Sequence, residues 1–260
     1  MEKFCYKCGK LKKEADALID GLCRECYLSE HRLIRSPEKL TLRVCTTCNG
    51  YQLNNSFHDV MVNPEYEYLE AAKKLVSSET EVLQKSAEGV KYEDFEDSTG
   101  VNISFEAEYT SNDTILVKLN AQVEIFDTEE PLIDKTRTVI KIKDTTCEVC
   151  NKQKVGYYEA LLQIRGEKDI SEDKLTKIFN DLQERFRKSY KENRDEFVSK
   201  IQREHGGLDL YTSSSNVAKE LGKFLKKKYD AEIKETAELI GEDSDGQKNY
   251  RVTVLARISN

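Results

Sequence analysis

The sequence predicts an α+β protein. We expect an N-terminal zinc-ribbon-like module with two four-cysteine zinc sites and an inserted helix-plus-antiparallel-strand segment, followed by an α+β C-terminal domain. All eight cysteines of the 260-residue chain occur in four Cys-x-x-Cys pairs, a spacing at which two thiolates reach one metal ion. Apolar patterns of helix and strand period alternate along the chain. Its 38% apolar and 34% charged residues indicate small cores with polar surfaces.

The cysteine pairs supply the candidate metal ligands, which are Cys5, Cys8, Cys23, Cys26, Cys45, Cys48, Cys147 and Cys150. A tetrahedral zinc needs two pairs, so four pairs predict two zinc ions. One arrangement joins the first pair to the second, and the third to the fourth across 98 intervening residues. The alternative joins the second pair to the third and the first to the fourth. We favour the former because it closes only one long loop.

Several classes of protein are disfavoured by the sequence. No run of apolar residues is long enough to span a membrane, and the opening residues lack a signal-peptide pattern, so we expect a cytoplasmic protein. In that reducing compartment a metal site is favoured over a disulfide framework. A thioredoxin-like redox function needs one Cys-x-x-Cys pair and does not explain four.

Charge is unevenly distributed along the chain, whose net charge is −7. The balance of Lys and Arg over Asp and Glu is +3 in residues 1–50, −14 in residues 59–134 and +4 in residues 135–260. Because electrostatic fields are local in salt solution, such segregation allows an acidic protein to bind a polyanion through its basic parts.

Residues 1–150 are predicted to form the zinc-binding domain, with the acidic segment 51–146 inserted between two cysteine pairs. A helix is expected from Pro64 to about Ala87, with Val82 and Leu83 on its apolar stripe. Three alternating runs, at residues 101–109, 115–126 and 136–143, predict an antiparallel meander with an acidic outer surface. The ends of the insert should meet, because they begin and end at one metal.

Residues 151–260 are predicted to form the α+β domain, in the order β-α-α-β-α-β-β with helices on one face of an antiparallel sheet. The elements begin with a strand at 155–165 and two helices, the second ending at Gly206-Gly207. A strand at 208–212, a helix capped by Ser213–Ser215 and a hairpin of residues 231–241 and 249–258 follow.

Binding is better supported than catalysis. Two closed tetrahedral sites would use every thiolate, and none of the three histidines lies in an H-E-x-x-H motif, so we predict no enzyme and no small-molecule substrate. Cations can grip phosphates and aromatic rings can stack on unpaired bases. The candidate RNA-binding residues are Arg24, Tyr27, Arg32, Arg35, Lys39, Arg43 and Tyr51. The alternative, that these cations only solubilise a small zinc module, remains open.

Three stretches resemble one known family. Residues 21–28, residues 40–51 and residues 207–225, together with the order of the cysteine pairs, are similar to the nonsense-mediated-decay protein three family of large ribosomal subunit export adaptors. The resemblance implies a non-catalytic assembly factor that binds rRNA and ribosomal proteins on the intersubunit face and prevents premature subunit joining. We also expect a monomer. Eukaryotic members carry an export signal in a long C-terminal tail. The present sequence ends at Asn260 and shows no such tail, so we expect an archaeal-type member. The competing hypothesis is a zinc-dependent or thiol redox enzyme.

Overall fold

The computed structural model describes residues 3–11, 18–86, 89–123, 131–242 and 245–259. The helices are α1 (Arg24–Glu30), α2 (Pro64–Ser78), α3 (Glu148–Lys154), α4 (Glu172–Glu192) and α5 (Ser215–Tyr229). The strands are β1 (Ile34–Arg35), β2 (Lys39–Cys45), β3 (Tyr51–Leu53), β4 (Ser56–His58), β5 (Glu81–Ser86), β6 (Gly89–Asp94), β7 (Val101–Ser111), β8 (Thr114–Val123), β9 (Leu132–Thr145), β10 (Ala160–Gly166), β11 (Val198–Glu204), β12 (Gly207–Thr212), β13 (Glu232–Glu242) and β14 (Lys248–Ile258). None of the described helices is both long and apolar enough to cross a membrane.

The chain divides into two compact units, residues 1–146 and residues 147–260. The division falls four residues before the boundary that we expected. The first unit contains a six-stranded sheet of order β4-β3-β2-β9-β8-β7 and a three-stranded sheet of order β1-β5-β6. The second unit contains a five-stranded sheet of order β11-β12-β10-β14-β13.

A parallel pair of strands joins the two ends of the insert. The predicted meander is present as β7, β8 and β9, which pair antiparallel, and residues 112–113 turn between the first two. Strand β9 also pairs in parallel with β2, from Lys39 opposite Val139 to Cys45 opposite Thr145. The sequence pattern did not predict this pairing, although it did predict that the ends of the insert meet.

The six-stranded sheet buries one face against α2. Alternate residues of β8, including Ile115, Val117 and Leu119, are buried in a core that also contains Ala72 and Val76 of the helix. The helix begins at Pro64, where the preceding Asn63 side chain accepts a hydrogen bond from the Glu65 amide at 2.8 Å. An N-cap of this kind satisfies an amide that has no partner within the helix.

The predicted length of that helix is wrong. It ends at Ser78, and the apolar residues Val82 and Leu83 belong to β5. Val82 is buried in the core beside α2, whereas Leu83 is buried in a separate core around the first cysteine pairs. A strand covered on both faces places consecutive apolar residues in the sequence, and this pair also fits helical spacing. Ala87, the predicted end, lies outside the described residues.

The expected acidic outer surface of the meander is also wrong for its central strands. On β9 the exposed positions that alternate with the core residues include Lys135, Arg137, Lys141 and Lys143. The acidic residues of the meander's outer face lie on its edge strand β7, where Glu106 and Glu108 are exposed, and Glu65 and Glu67 lie in the first turn of α2.

The second unit differs from its predicted order at one helix and one strand pair. The predicted second helix is β11, and α4 continues to Glu192 before it. Residues His205 and Gly206, with φ of 49° and 68°, connect β11 to β12 as a tight hairpin rather than as a helix cap. Strand β10 begins at Ala160 instead of Val155. The sheet is mixed, because β10 and β14 pair in parallel.

Both long helices of the second unit contribute to one core. The buried residues of α4 are Leu175, Ile178 and Leu182, and those of α5 are Val217, Ala218, Leu221 and Leu225. They pack with Ala160, Leu162 and Ile164 of β10, which alternate onto one face of the sheet. Helix α5 begins where the Ser214 side chain accepts a hydrogen bond from the Val217 amide, within the predicted cap.

Truncating a side chain on one face of β9 should change stability by a different amount from truncating one on the other face. Ile140 is fully buried and Ile133 is 44% exposed on the opposite face of the same strand. We expect Ile140→Ala to lower the free energy of unfolding of the first unit by about 2–5 kcal/mol. Ile133→Ala, the matched control, should cost about 1 kcal/mol or less. Pulse proteolysis in urea, with fragments identified by mass spectrometry, measures both; equal losses would contradict the assigned faces.

Candidate metal centres and nucleic-acid interface

The eight cysteines form two groups of four. The first contains Cys5, Cys8, Cys23 and Cys26, and the second contains Cys45, Cys48, Cys147 and Cys150. Within each group all four sulfur atoms lie within 4.8 Å of one another. This is the favoured arrangement, which joins the first pair to the second and the third to the fourth. None of the eight thiols is in a disulfide.

The sulfur spacing in the first group fits a tetrahedral zinc. Zinc–sulfur bonds of about 2.3 Å place two sulfur ligands about 3.8 Å apart. The Cys8 and Cys23 sulfurs are 3.7 Å apart. Because these two residues come from different pairs, the distance shows that the pairs face a common centre.

Each group combines two kinds of cysteine pair. In the first and third pairs a turn closes when the amide of Gly9 donates to Cys5 O and the amide of Asn49 to Cys45 O, both at 2.8 Å. The second and fourth pairs begin helices instead. Cys23 precedes α1 and Cys147 precedes α3, with the same backbone angles, φ −68° and ψ 160°. The two centres therefore have the same local design.

Positive backbone angles follow the two turn-type pairs. Gly9 has φ of +75°, and Asn49 has φ of +60°. Glycine and asparagine adopt this region with the least strain. At the third pair the positive angle belongs to the asparagine directly before Gly50. The Tyr68 hydroxyl of α2 donates to Asn49 O at 2.8 Å, which holds the turn against the helix.

The β2–β9 pairing explains how distant cysteines enter the second group. Cys45, the last residue of β2, lies opposite Thr145, the last residue of β9. Cys147 follows only one residue later. Because parallel strands end at the same edge of a sheet, the fourth pair begins beside the third.

The thiols of the first group require a cation to ionise together. Burial opposes ionisation of Cys5, but hydrogen bonds from the backbone of Cys23, Cys8 and Lys7 outweigh it and lower its pKa to about 6. For Cys26, burial and then its hydrogen bonds with the other thiols raise the pKa to about 12. Neighbouring thiolates repel one another. A bound divalent metal would remove this conflict, so the donor set fits zinc.

Arg194 contacts the second group and was missed by the sequence analysis. It lies in the turn after α4, where its Nη2 donates to the Cys147 sulfur at 3.3 Å. The Cys150 amide donates to the same sulfur at 3.4 Å. In the sequence, Arg194 is one of several cations in a stretch that also carries Glu and Asp, and no local pattern distinguishes it. Four thiolates around one zinc carry a net charge of −2, and a guanidinium beside a ligand sulfur reduces the cost of that charge.

Lys39 and Arg43 are the candidate RNA-binding residues that lie on an open surface of the first unit's large sheet. Both are exposed and alternate with the buried Leu42 on β2. Arg43 Nη1 donates to Gln52 Oε1 at 3.4 Å. Their side chains therefore share one face and are accessible to a large ligand.

The remaining predicted cations make contacts within the first unit. Arg24 donates to Pro131 O. Arg32 pairs with Asp134 at 3.2 Å, and the Arg35 guanidinium lies 3.4 Å above the centre of the Tyr92 ring. Arg32 and Arg35 are exposed and keep accessible charge, while Arg24 is half-buried.

The two predicted stacking residues do not fit that role. Tyr27 is fully buried in the core around the first cysteine group. Tyr51 is half-buried, with its ring 6.1 Å from Tyr68 of α2 and 5.7 Å from His58. Both rings pack against neighbouring side chains of the protein. The sequence did not distinguish this packing role from base stacking.

The fold and its cysteines define an α+β protein with two four-cysteine groups, each of which could hold a metal ion. Residues 5–155 match the family description NMD3, N-terminal domain, and residues 157–258 match NMD3, second domain. The chain therefore belongs to the NMD3 family, whose members are ribosome-associated export adaptors. No curated protein matches the chain. The match does not separate archaeal-type from eukaryotic members, so that assignment stays a prediction.

The Arg194 contact predicts a selective change in metal retention. With zinc bound, Arg194→Ala should accelerate its loss from the second group about tenfold or more, the scale on which groups that hydrogen-bond to metal ligands act. Arg194→Lys should fall between that variant and the wild type, and Arg187→Ala, an exposed control, should change nothing. Mass spectrometry of cysteines alkylated during chelation resolves the two groups, the first being the internal reference. If the cysteines of the second group are equally protected from alkylation in all variants, this role of Arg194 is refuted.

Proposed function

We propose that this protein is a non-catalytic ribosome assembly factor. It binds the intersubunit face of the large ribosomal subunit through rRNA and ribosomal-protein contacts, and it prevents premature subunit joining. The observation that carries this proposal is membership of the NMD3 family across both described units, over residues 5–155 and 157–258.

Two zinc ions are proposed as structural cofactors. Four sulfurs within 4.8 Å of one another in each group match a closed zinc site, whereas a catalytic zinc keeps a position open for water or substrate. This grouping argues against the alternative, a zinc-dependent or thiol redox enzyme. Such an enzyme would need a thiol outside the two groups or an open ligand position.

The working environment follows from the same proposal. We propose a cytoplasmic monomer whose partner is the large subunit, with no membrane and no small-molecule substrate. The exposed cations Arg32, Arg35, Lys39 and Arg43 support contact with RNA, because phosphate contacts supply most of the affinity of nucleic-acid binding. Recruitment of a basic ribosomal protein by the acidic residues of the chain is compatible with this proposed function.

Sedimentation with separated ribosomal subunits tests this function. The protein should sediment with large subunits and not with small ones. Binding should weaken steeply between about 50 and 200 mM salt, because phosphate contacts release counterions. Added in excess to large subunits, it should also reduce their joining to small subunits. Absence of binding at low salt, equal binding to both subunits, or unimpeded joining would each contradict the proposal.

A further inference from the structure

We propose that the open face of the six-stranded sheet binds the phosphodiester backbone of helical RNA. This surface, called here the basic sheet face, consists of Lys39 and Arg43 of β2, Lys118 of β8, and Lys135, Arg137, Lys141 and Lys143 of β9, all exposed. The inference rests on the proposed function only for the identity of the natural RNA.

Strand register places these cations on one surface. Arg43 lies opposite Lys143 in the parallel pair of β2 and β9, and Lys118 lies opposite Arg137 in the antiparallel pair of β8 and β9. Alternate residues of a strand are about 6.8 Å apart, so the row from Lys135 to Lys143 is about 27 Å long. Neighbouring strands add cations about 4.8 Å to either side.

The basic sheet face carries a concentrated positive charge. The residues of β2, β8 and β9 that alternate onto it include no carboxylate, and the carboxylates on the same side of the sheet, Glu106 and Glu108, lie at its edge on β7. Within the described parts of the chain, Lys39, Lys135, Arg137 and Lys143 are in no ion pair, and Lys118 and Lys141 pair with Glu108 at 2.7 Å and Asp113 at 3.5 Å. A polyanion would relieve the mutual repulsion of these cations and would release its own counterions on binding.

The other side chains on this face favour a helical RNA over an unpaired strand. Single-stranded nucleic acid is bound mainly by stacking its bases on aromatic rings. The described residues of β2, β8 and β9 that face outward include no aromatic one, and Phe57, on the same side of the edge strand β4, is half-buried. The face instead has a depression of about 580 Å³, lined by the cations Lys118, Lys135 and Arg137, by Ser104 and Asn120, and by one carboxylate, Glu106. Cations with neutral hydrogen-bonding groups suit the phosphates and 2′-hydroxyls of an RNA helix.

Fluorescence anisotropy with an RNA duplex of about 20 base pairs tests the proposal. The variant Lys135→Thr/Arg137→Thr/Lys143→Thr removes three cations and keeps residues that suit a strand. We expect it to bind about tenfold or more weakly, and the slope of log affinity against log salt should fall by about 2–3. The variant Lys135→Arg/Lys143→Arg should bind as the wild type does. A charge-matched control, Lys223→Ala/Lys226→Ala/Lys227→Ala on α5, should also retain binding.

Three outcomes would overturn the inference: unchanged duplex binding by the threonine variant, tighter binding of a single strand of the same sequence than of the duplex, or tighter binding of a Glu-rich peptide. Circular dichroism of the threonine variant checks that it is folded, and Lys118→Thr/Lys141→Thr provides a second removal of charge if it is not. Sedimentation with large subunits distinguishes a failure of this inference from a failure of the proposed function. If the wild type and the threonine variant sediment with large subunits equally, the proposed function is retained and the RNA-binding role of the basic sheet face is rejected.

Discussion

The parallel pairing of β2 with β9 is the constraint on which the rest of the first unit depends. It brings residues that are about one hundred positions apart into direct register, from Lys39 with Val139 to Cys45 with Thr145. Closing so long a loop carries a large entropic cost. Two interactions offset this cost: burial of Leu42 and Ile140 beneath α2, and the second cysteine group, which draws a pair from the end of each strand.

The same pairing gathers the charge of the first unit. Lys39 and Arg43 come from one part of the chain, and the cations of β9 come from another, beyond an acidic segment. A sheet places alternate residues of neighbouring strands on one surface, so these cations become neighbours only when β2 and β9 pair. The second cysteine group and the basic sheet face are therefore linked through one register: the cysteine group joins the ends of β2 and β9, and the pairing of these strands assembles the face.

The sequence was most informative where chemistry constrains spacing. The cysteine pairs predicted two four-ligand groups, and alternation predicted β7, β8 and β9, although β9 begins four residues before its predicted start and the predicted end of β8, residues 124–126, lies outside the described residues. It failed where two periods fit the same residues, as at Val82 and Leu83, or where a strand followed a helix with similar composition, as at β11. Charge summed along the chain misled, because the balance of residues 59–134 says nothing about which face each residue occupies. Arg194 had no local signal, since its contact with Cys147 depends on the turn after α4.

Hydrogen exchange in zinc-loaded variants tests most directly whether the second metal centre holds the insert closed. Cys150→Ser removes a ligand of the second group, and Cys26→Ser is the matched change in the first. If the second metal centre does so, Cys150→Ser should lower amide protection at the paired ends of β2 and β9, residues 43–45 and 143–145, and Cys26→Ser should leave protection there unchanged. Wild-type protection of these residues in Cys150→Ser would contradict this role of the second centre.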